Sequence, residues 1–375
     1  MLLDIPRPRL AYLLFCVGLI FSFFLSEARA AEKPPVRLAL VGLVHGHAGG
    51  FIRGLQAQSD VQLVGLVDPD DALQARFAKS FGLERSLFHS SLASLFAATS
   101  VDAVAVFTST YDHVEVVEAC VARGLPVMME KPLAVSMEHA RRMATASEKA
   151  GVPVIVNYET TWYPAHRALW ELVREEKAIG DLRKIMVNDG HSGPIEIGCS
   201  QEFLSWLTDP MLNGGGALMD FGCYGANLIT WLVDGQRPLA VHAVTQQIKP
   251  HLYPNVDDEA TILLTYPRFQ GVIQASWNWP FSRKDIEVYG TQGYVIAPRA
   301  NEIRVRLGKE AEAKRVPAAL QAPHAGPISY FAAVVRKEIE PSGLSSLENN
   351  LVVTEILDAA RESARTGKRV DLPRR

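Results

Sequence analysis

The amino-acid sequence predicts an α/β protein: an N-terminal doubly wound parallel sheet, followed by an α+β domain with a large, mostly antiparallel open sheet. Three observations carry this. Up to Asn157, short, mostly apolar runs alternate with segments of helical periodicity, as parallel strands buried on both faces and joined by crossover helices do. Beyond Asn157 the runs lengthen and alternate in polarity, the mark of strands with one covered face. The length of 375 residues and the 48% hydrophobic content suffice for two such cores.

Residues 1–30 stand outside both parts. Arg7 and Arg9 precede an apolar run from Leu10 to Leu25, and Ala28-Arg29-Ala30 supplies a small-x-small cleavage site. This pattern predicts a secretory signal, a mature chain starting at Ala31, and an exported protein, periplasmic or secreted. The apolar run is shorter than the ~20 residues that usually span a bilayer; an uncleaved anchor is the alternative. Pro8 separates the two arginines, so no twin-arginine signal is present. The expected organisation is a signal over 1–30, a first domain over 31–157 and a second over 158–375. A formal charge of −3 without any basic run argues against nucleic acid as a partner.

In chain order, Val36 to Val41 (VRLALV) reads as a buried strand, with Gly42 directly after it. GLVHGHAGGFIRGL then enters a helix from His47 or Ala48 to Gln56, and Val61 to Val67 is a second strand ending in Asp68-Pro69. Strand, glycine turn, helix, strand and terminal acid outline a Rossmann-type dinucleotide-binding unit. Asp68, at the position where an acid accepts from the adenosine ribose hydroxyls, would repel a 2′-phosphate and so favours NAD over NADP. In G-x-G-x-x-G register the second and third positions hold Val44 and His47, and β-branched Val44 crowds a pyrophosphate. Gly46 returns some freedom to the turn, and His45 and His47 are expected beside the phosphates. The His-x-His pattern also suggests a metal, but Asp102 begins its strand and His113 sits in a helix, so further ligands at strand ends are lacking and no metal is expected. Cys120, Cys199 and Cys223 show no zinc-type spacing and allow one disulfide at most.

Pro69 to Phe81 reads as a helix, Leu87 to Ala98 as a short strand and helix, and Val101 to Phe107 as a strand that releases Thr108, Ser109 and Thr110 into a turn. A helix from Tyr111 to Arg123 carries His113. Val127 to Met129 is then a strand that Glu130, Lys131 and Pro132 break abruptly. A lysine at a strand's carboxyl end faces the ligand crevice of an open parallel sheet, and the Lys131-Pro132 bond is a candidate for a cis peptide. Ser136 caps a helix reaching Ala150, and Val152 to Val156 is the last strand of this sheet, ending at Asn157-Tyr158.

After a helix from Ala165 to Lys177, strands of alternating polarity are predicted at Asp181–Asp189, Ala240–Ile248, Glu259–Tyr266, Gly271–Trp277, Asp285–Tyr289 and Tyr294–Ile296, the last two joined by the turn Gly290-Thr291-Gln292-Gly293. Before most of them comes Asn213 to Gly235 (NGGGALMDFGCYGANLITWLVDG), read as a helix carrying Asp220 and Tyr224 on one face. Three successive glycines imply that a ligand or another backbone comes close.

With these residues in view the chain resembles the Gfo/Idh/MocA family, the glucose-fructose oxidoreductase and inositol dehydrogenase group. Glu130-Lys131-Pro132 is similar to its EKP motif, Gly214 to Tyr224 to its G-G-G-x-L-x-D-x-G-x-H segment, and Thr108 to His113 to its T-P-x-x-x-H turn. Asp258-Glu259-Ala260, Tyr289-Gly290-Thr291 and the stretch Ser363 to Leu372 also match its landmarks. The resemblance implies reversible hydride transfer between a nicotinamide and a hydroxyl carbon of a sugar, polyol or glycoside, in homo-oligomers formed through the second sheet. It implies that Lys131 orients the substrate hydroxyl and that Asp220 holds neighbouring hydroxyls. Cofactor contacts would come from Gly42, Val44, His45, Gly46, His47, Asp68, Thr108, Ser109, His113, Glu130, Lys131 and Pro132, and substrate contacts from Asn157, Tyr158 and Trp162. Tyr224 stands where many members have histidine, as in the branches with a tyrosine acid/base; a nearby Lys131 ammonium would lower its pKa toward the working range.

Export sets a chemical problem, because free dinucleotide is scarce outside the cytoplasm. A tightly held NAD recycled by a second substrate is one solution. Two alternatives stay open: an NAD-dependent lyase or hydrolase that oxidises its sugar transiently, and a non-catalytic carbohydrate-binding protein on the same fold.

Overall fold

Six short strands form the first sheet: β1 (Val36–Val41), β2 (Val61–Val67), β3 (Phe88–His89), β4 (Ala103–Val106), β5 (Val127–Glu130) and β6 (Val154–Asn157). In the computed structural model, which describes residues 33–373, all neighbours pair in parallel in the order β3-β2-β1-β4-β5-β6. The direction of winding reverses between β1 and β4, which opens a crevice at the carboxyl edge of the sheet. Helices α1 (Ala48–Gln56), α2 (Asp71–Phe81), α3 (Leu92–Ala98), α4 (His113–Val121) and α5 (Met137–Ala150) make the crossovers. Asp70 accepts from the Ala72 and Leu73 amides and starts α2 later than expected from Pro69. Ser136 caps α5 as predicted. The expected signal and its cleavage point lie outside the described residues, and from Pro35 onward the chain is one compact unit.

The second sheet has nine strands: β7 (Leu182–Gly190), β8 (Ala240–Gln246), β9 (Glu259–Thr265), β10 (Gln270–Ser276), β11 (Arg283–Gly290), β12 (Gly293–Arg299), β13 (Glu302–Leu307), β14 (Ala313–Arg315) and β15 (Val370–Asp371). Their order is β14-β13-β12-β11-β7-β10-β9-β8-β15, antiparallel except where β10 runs parallel to β7. The two-sheet α/β architecture predicted from the sequence is therefore the observed one. Between the two sheets in sequence lies α6 (Pro164–Trp170); α7 (Gln201–Leu207), α8 (Ala217–Asp220) and α9 (Gly222–Leu232) come between β7 and β8, and α10 (Pro327–Val335) and α11 (Leu347–Thr366) between β14 and β15. Helix α9 lies on the inner face of the sheet so closely that a Cβ on Gly225 would meet Ile273 at 2.5 Å.

Two local expectations need correction, and between the two explanations of the glycine run the structure favours one. The helix foreseen from Ala165 to Lys177 opens at Pro164 and loosens into a wide turn over Glu171–Glu175, closing before Lys177, which has φ +52°. Asp220 and Tyr224 do not share one helix: α8 ends at Asp220, and α9 begins at Gly222. The break frees the Asp220 carbonyl, which accepts from the Lys131 ammonium at 3.1 Å and the Cys223 thiol at 3.2 Å. The glycine run answers to a neighbouring backbone: a Cβ on Gly216 would stand 1.8 Å from the Asp257 carbonyl. Asp257 then caps α8 from outside, accepting from the Gly216 and Leu218 amides at 2.9 and 2.7 Å.

Candidate active site

The carboxyl ends of β1, β2, β4, β5 and β6 deliver Gly42, Asp68, Thr108, Lys131 and Asn157 to one edge. Gly42 has φ +88°, and a Cβ there would lie 2.6 Å from the backbone of Phe107 and Thr108; only glycine fits this turn. Gly46 and His47 are exposed just before the amino end of α1, where free amides and the helix dipole receive a phosphate. Asp68 stands at the end of β2, and its two carboxylate oxygens accept from the Leu43 and Asp70 amides at 2.8 and 2.9 Å. It thereby ties the glycine turn to the strand on which a ribose would rest. This chain's turn, helix start and terminal acid fit a dinucleotide.

Several residues expected at the cofactor do other work. His45 is buried among Phe107, Phe203 and Trp206, and Trp206 Nε1 donates to the Val44 carbonyl at 3.4 Å. Helix α7, which the sequence reading missed, thus covers the inner side of the turn. Burial and the neighbouring His47 hold the His45 pKa well below its usual value. Ser109 donates to Asp112 at 2.6 Å and shapes the turn before α4, while the Thr108 hydroxyl donates to the Ser109 carbonyl. His113, kept neutral by burial with a pKa of about 4, gives Nδ1–H to the Leu133 carbonyl and fastens α4 behind the cis Lys131-Pro132 bond.

Glu130 lies under the crevice. Burial opposes its charge, yet His47, donating from Nδ1 at 3.0 Å, and Asn157, donating at 2.8 Å, hold its pKa near 2. Trp162 Nε1 in turn donates to Asn157 Oδ1 at 3.0 Å. Donor atoms of His45, His47 and Glu130 come within 4.8 Å of one another, a spacing a metal ion could use. Each is already engaged: His45 Nδ1 accepts the His47 amide, and both Glu130 oxygens take protein donors. The cluster closes on itself by hydrogen bonds.

Lys131, 6% exposed, donates to Asp220 Oδ1 at 2.5 Å, and Trp277 Nε1 donates to Asp220 Oδ2 at 3.0 Å. Burial works against both charges, but each sustains the other: the Lys131 pKa is raised and that of Asp220 lowered. Tyr224, 1% exposed, presents its ring to two ammonium groups, Lys131 at 5.0 Å and Lys284 at 4.7 Å from the ring centroid. Lys131 thus stands over the ring. Burial, with nearby Cys223 and acidic groups, raises the Tyr224 pKa well above 10, which corrects the expectation that Lys131 lowers it. Tyr158 packs edge-on behind Tyr224 at 5.4 Å and is fully buried.

Lys284, Glu159, Asp189, His191 and Trp277 complete the site and are given no role in it by the sequence. Lys284 is paired with Glu159, and both line a cavity of about 660 Å³ together with His191 and Phe221. Asp189, directly across the β7–β11 ladder from Lys284, is 0% exposed, and neither carboxyl oxygen has a partner among the described residues. Lys131 and Lys284 are both committed to other carboxylates, so burial prevails and raises the Asp189 pKa well above its usual value. Asp189 and Lys284 lie on strands whose patterns read as ordinary sheet, His191 and Trp277 directly follow strands, and Glu159 sits in the turn after β6; only the tertiary fold brings them together.

A dinucleotide-binding sheet edge beside a buried lysine, carboxylate and tyrosine defines a nicotinamide-dependent oxidoreductase. The family model for the Gfo/Idh/MocA oxidoreductases' NAD-binding Rossmann fold matches residues 36–158, and that for the Gfo/Idh/MocA C-terminal domain matches residues 166–296. Together they take in well over half of the sequence, and the chain belongs to the Gfo/Idh/MocA oxidoreductase family. A trans-1,2-dihydrobenzene-1,2-diol dehydrogenase from Sus scrofa is 27% identical over 242 residues, 64% of this chain and 67% of that protein. A D-apiose dehydrogenase from Paraburkholderia graminis is 27% identical over 360 residues, 89% of each chain. Among solved structures, an inositol dehydrogenase homolog from Azotobacter vinelandii complexed with NAD+ superposes with TM-score 0.78 at 20% identity, covering 91% of this chain and 98% of that one. The aldose-aldose oxidoreductase from Caulobacter crescentus, complexed with glycerol, gives 0.76 at 22% identity, covering 90% of this chain and all of the other. At these identities the superpositions show the fold.

Proposed function

We propose that this protein is an exported NAD(H)-dependent oxidoreductase that moves hydride to or from a hydroxyl carbon of a sugar, polyol or glycoside, with its NAD retained and recycled rather than exchanged. The observation that carries the reading is the Lys131–Asp220 pair, fixed by Trp277 and set beside Tyr224 where the crevice meets the second sheet. A hydroxylated substrate suits it. Asp220 accepts from hydroxyls, the Lys131 ammonium orients the oxygen of the reacting carbon, and the Tyr224 phenol donates to that oxygen. The nicotinamide, when bound, supplies the hydride acceptor for oxidation and, in its reduced form, the hydride donor for the reverse reduction, the direction in which the Tyr224 phenol gives its proton. Relatives named for a dihydrodiol, D-apiose and D-xylose support a polyhydroxylated substrate, and Asp68 supports NAD over NADP.

The test begins with the chain from Ala31, purified, denatured and assayed for released dinucleotide; near-equal NAD and protein is expected if the cofactor is retained. NAD-linked turnover is then measured with pairs of sugars and polyols. Lys131→Met should lose about a hundredfold or more in kcat, the usual scale for a group acting on proton transfer, with Asp220→Asn as the variant that keeps a hydrogen bond to the lysine. An empty protein that fails to bind NAD at millimolar concentration would sink the proposal. N-terminal sequencing of the full chain expressed in a bacterial host reads out export: a start at Ala31 is expected.

A further inference from the structure

The helix-facing row of β11 begins with a charge. Ile286 and Val288 are fully buried, and Lys284 lies on their face, two residues before Ile286. A lysine turned toward a core needs a counter-ion, and the ladder offers one: Asp189 on β7 stands directly across from it, where opposite charges on paired strands meet. The two do not pair. Both Asp189 carboxyl oxygens are closed off without a partner among the described residues. The Lys284 ammonium reaches over the Tyr224 ring, 4.7 Å from its centroid, and to Glu159. A cross-strand ion pair is thus given up, and a buried carboxyl left unsatisfied, in an arrangement that sets positive charge against Tyr224.

Lys131 also stands over the ring, at 5.0 Å, but its charge is neutralised in place, because Asp220 is as buried as the lysine and is held by Trp277. Lys284 is tied differently. The Glu159 side chain is 51% exposed, against 7% for that of Asp220, and water screens a carboxylate there. More of the Lys284 charge is therefore left to act on the ring. The other groups around Tyr224 oppose it: Cys223 on α9, Glu159 after β6, Asp220 on α8 and Glu130 at the end of β5 all favour the neutral phenol. Tyr158 packs behind the ring, and Asp189, kept neutral by burial, adds no charge from β7.

We infer that Lys284 is a positioning residue for the proton transfer, holding positive charge on the face of Tyr224 so that its phenolate can form inside a dry pocket. The inference rests on the proposed role of Tyr224. In oxidation the phenolate oxygen accepts the proton of the substrate hydroxyl, and in reduction the phenol returns it. A phenolate spreads its charge into the ring, so a cation over the face stabilises it. An opposite charge within about 4–6 Å moves a pKa by roughly 1–3 units, and the Lys284 distance falls in that range. Lys284 and Glu159 thereby act on Tyr224 in opposite directions: the lysine eases its ionisation and the glutamate resists it.

The test is an alkaline titration of the purified full chain, read by the ultraviolet difference absorbance of tyrosinate, for wild type, Lys284→Met, Lys284→Arg and Glu159→Gln. Each is compared with the same protein carrying Tyr224→Phe, so that the difference reports Tyr224. Melting temperatures confirm that each variant folds. We expect the ionisation to move up by about one pH unit or more in Lys284→Met, to stay near wild type in Lys284→Arg and to move down in Glu159→Gln. A role for Lys284 in packing alone would not separate the Met and Gln variants in opposite directions. The same titration in Lys284→Met and Glu159→Gln overturns the inference, and so does the absence of any Tyr224 ionisation in Glu159→Gln up to the pH at which it unfolds. The alkaline climb of kcat for substrate oxidation should follow the same shifts. A climb that survives Tyr224→Phe removes the proposed role of Tyr224. A climb that Tyr224→Phe flattens and Lys284→Met leaves in place removes the role of Lys284 alone.

Discussion

At the scale of single residues, the site is governed by which charges have partners. Tyr224 is held as a phenol by its burial, the proton-donating form that serves reduction of a carbonyl. Oxidation of an alcohol needs a proton acceptor, and a phenol becomes one only as pH rises toward its raised pKa. The rate of substrate oxidation should therefore climb with pH through the alkaline range, and Tyr224→Phe should flatten that climb while lowering the rate about a hundredfold or more. A climb that persists in Tyr224→Phe would show that another group takes the proton. Asp189 gives a second titration. Its folded pKa is raised, so between about 3.9, the unfolded value, and the raised folded value, the folded chain keeps a proton that the unfolded chain releases. Stability from this group falls as pH rises through that window, by roughly 1.4 kcal/mol per pH unit. Asp189→Asn escapes the loss, and urea unfolding should find it more stable than wild type at pH 7, by about 1 kcal/mol or more, with the gap closing near pH 4. A gap independent of pH would show that Asp189 is ionised in the folded protein.

At the scale of elements, legibility followed the reach of the interactions. Val36–Val41, Val61–Val67 and Val127–Met129 were readable because a strand largely buried on both faces must be mostly apolar. The Ser136 cap and the Gly290–Gly293 hairpin follow from chemistry within a few residues. The α8–α9 break was not readable, because what fixes it is remote: Lys131 takes the freed Asp220 carbonyl and Asp257 caps α8 across the sheet. The same holds for Trp277, Lys284 and Asp189, whose roles depend on sheet register. Helix α7 was lost because Gln201–Leu207 is short and gives too few turns for a clear period. Gly216 measures how tightly the α8 start is built. Gly216→Ala must push a Cβ into the Asp257 carbonyl, so we expect a loss of about 3 kcal/mol in stability, read by urea unfolding, together with a loss of turnover as Asp220 shifts. Gly50→Ala, where an added Cβ has open space, is the matched control and should be neutral or slightly stabilising.

At the scale of the whole molecule, the second sheet has two unequal faces. Ile185, Val187, Ile262, Leu264, Ile273 and Val288 are fully buried beneath the helices. On the other face, Met186, Val272 and Leu263 form one row across the central strands β7, β10 and β9 and are only half-buried. An apolar row in the middle of a nine-stranded sheet is poorly placed against water, whereas a second copy of the same face would cover it in an isologous contact. This is where we propose that the expected homo-oligomer forms. Light scattering coupled to size exclusion should give a dimer or larger assembly at micromolar concentration, and Val272→Glu, which places a charge in the row and leaves the helix-facing core intact, should give the mass of a single chain. The variant should keep the crevice and the Lys131–Asp220 pair, so its NAD content separates an interface that only assembles the protein from one that also supports the site. Wild type that runs as a monomer would rule out assembly through this face.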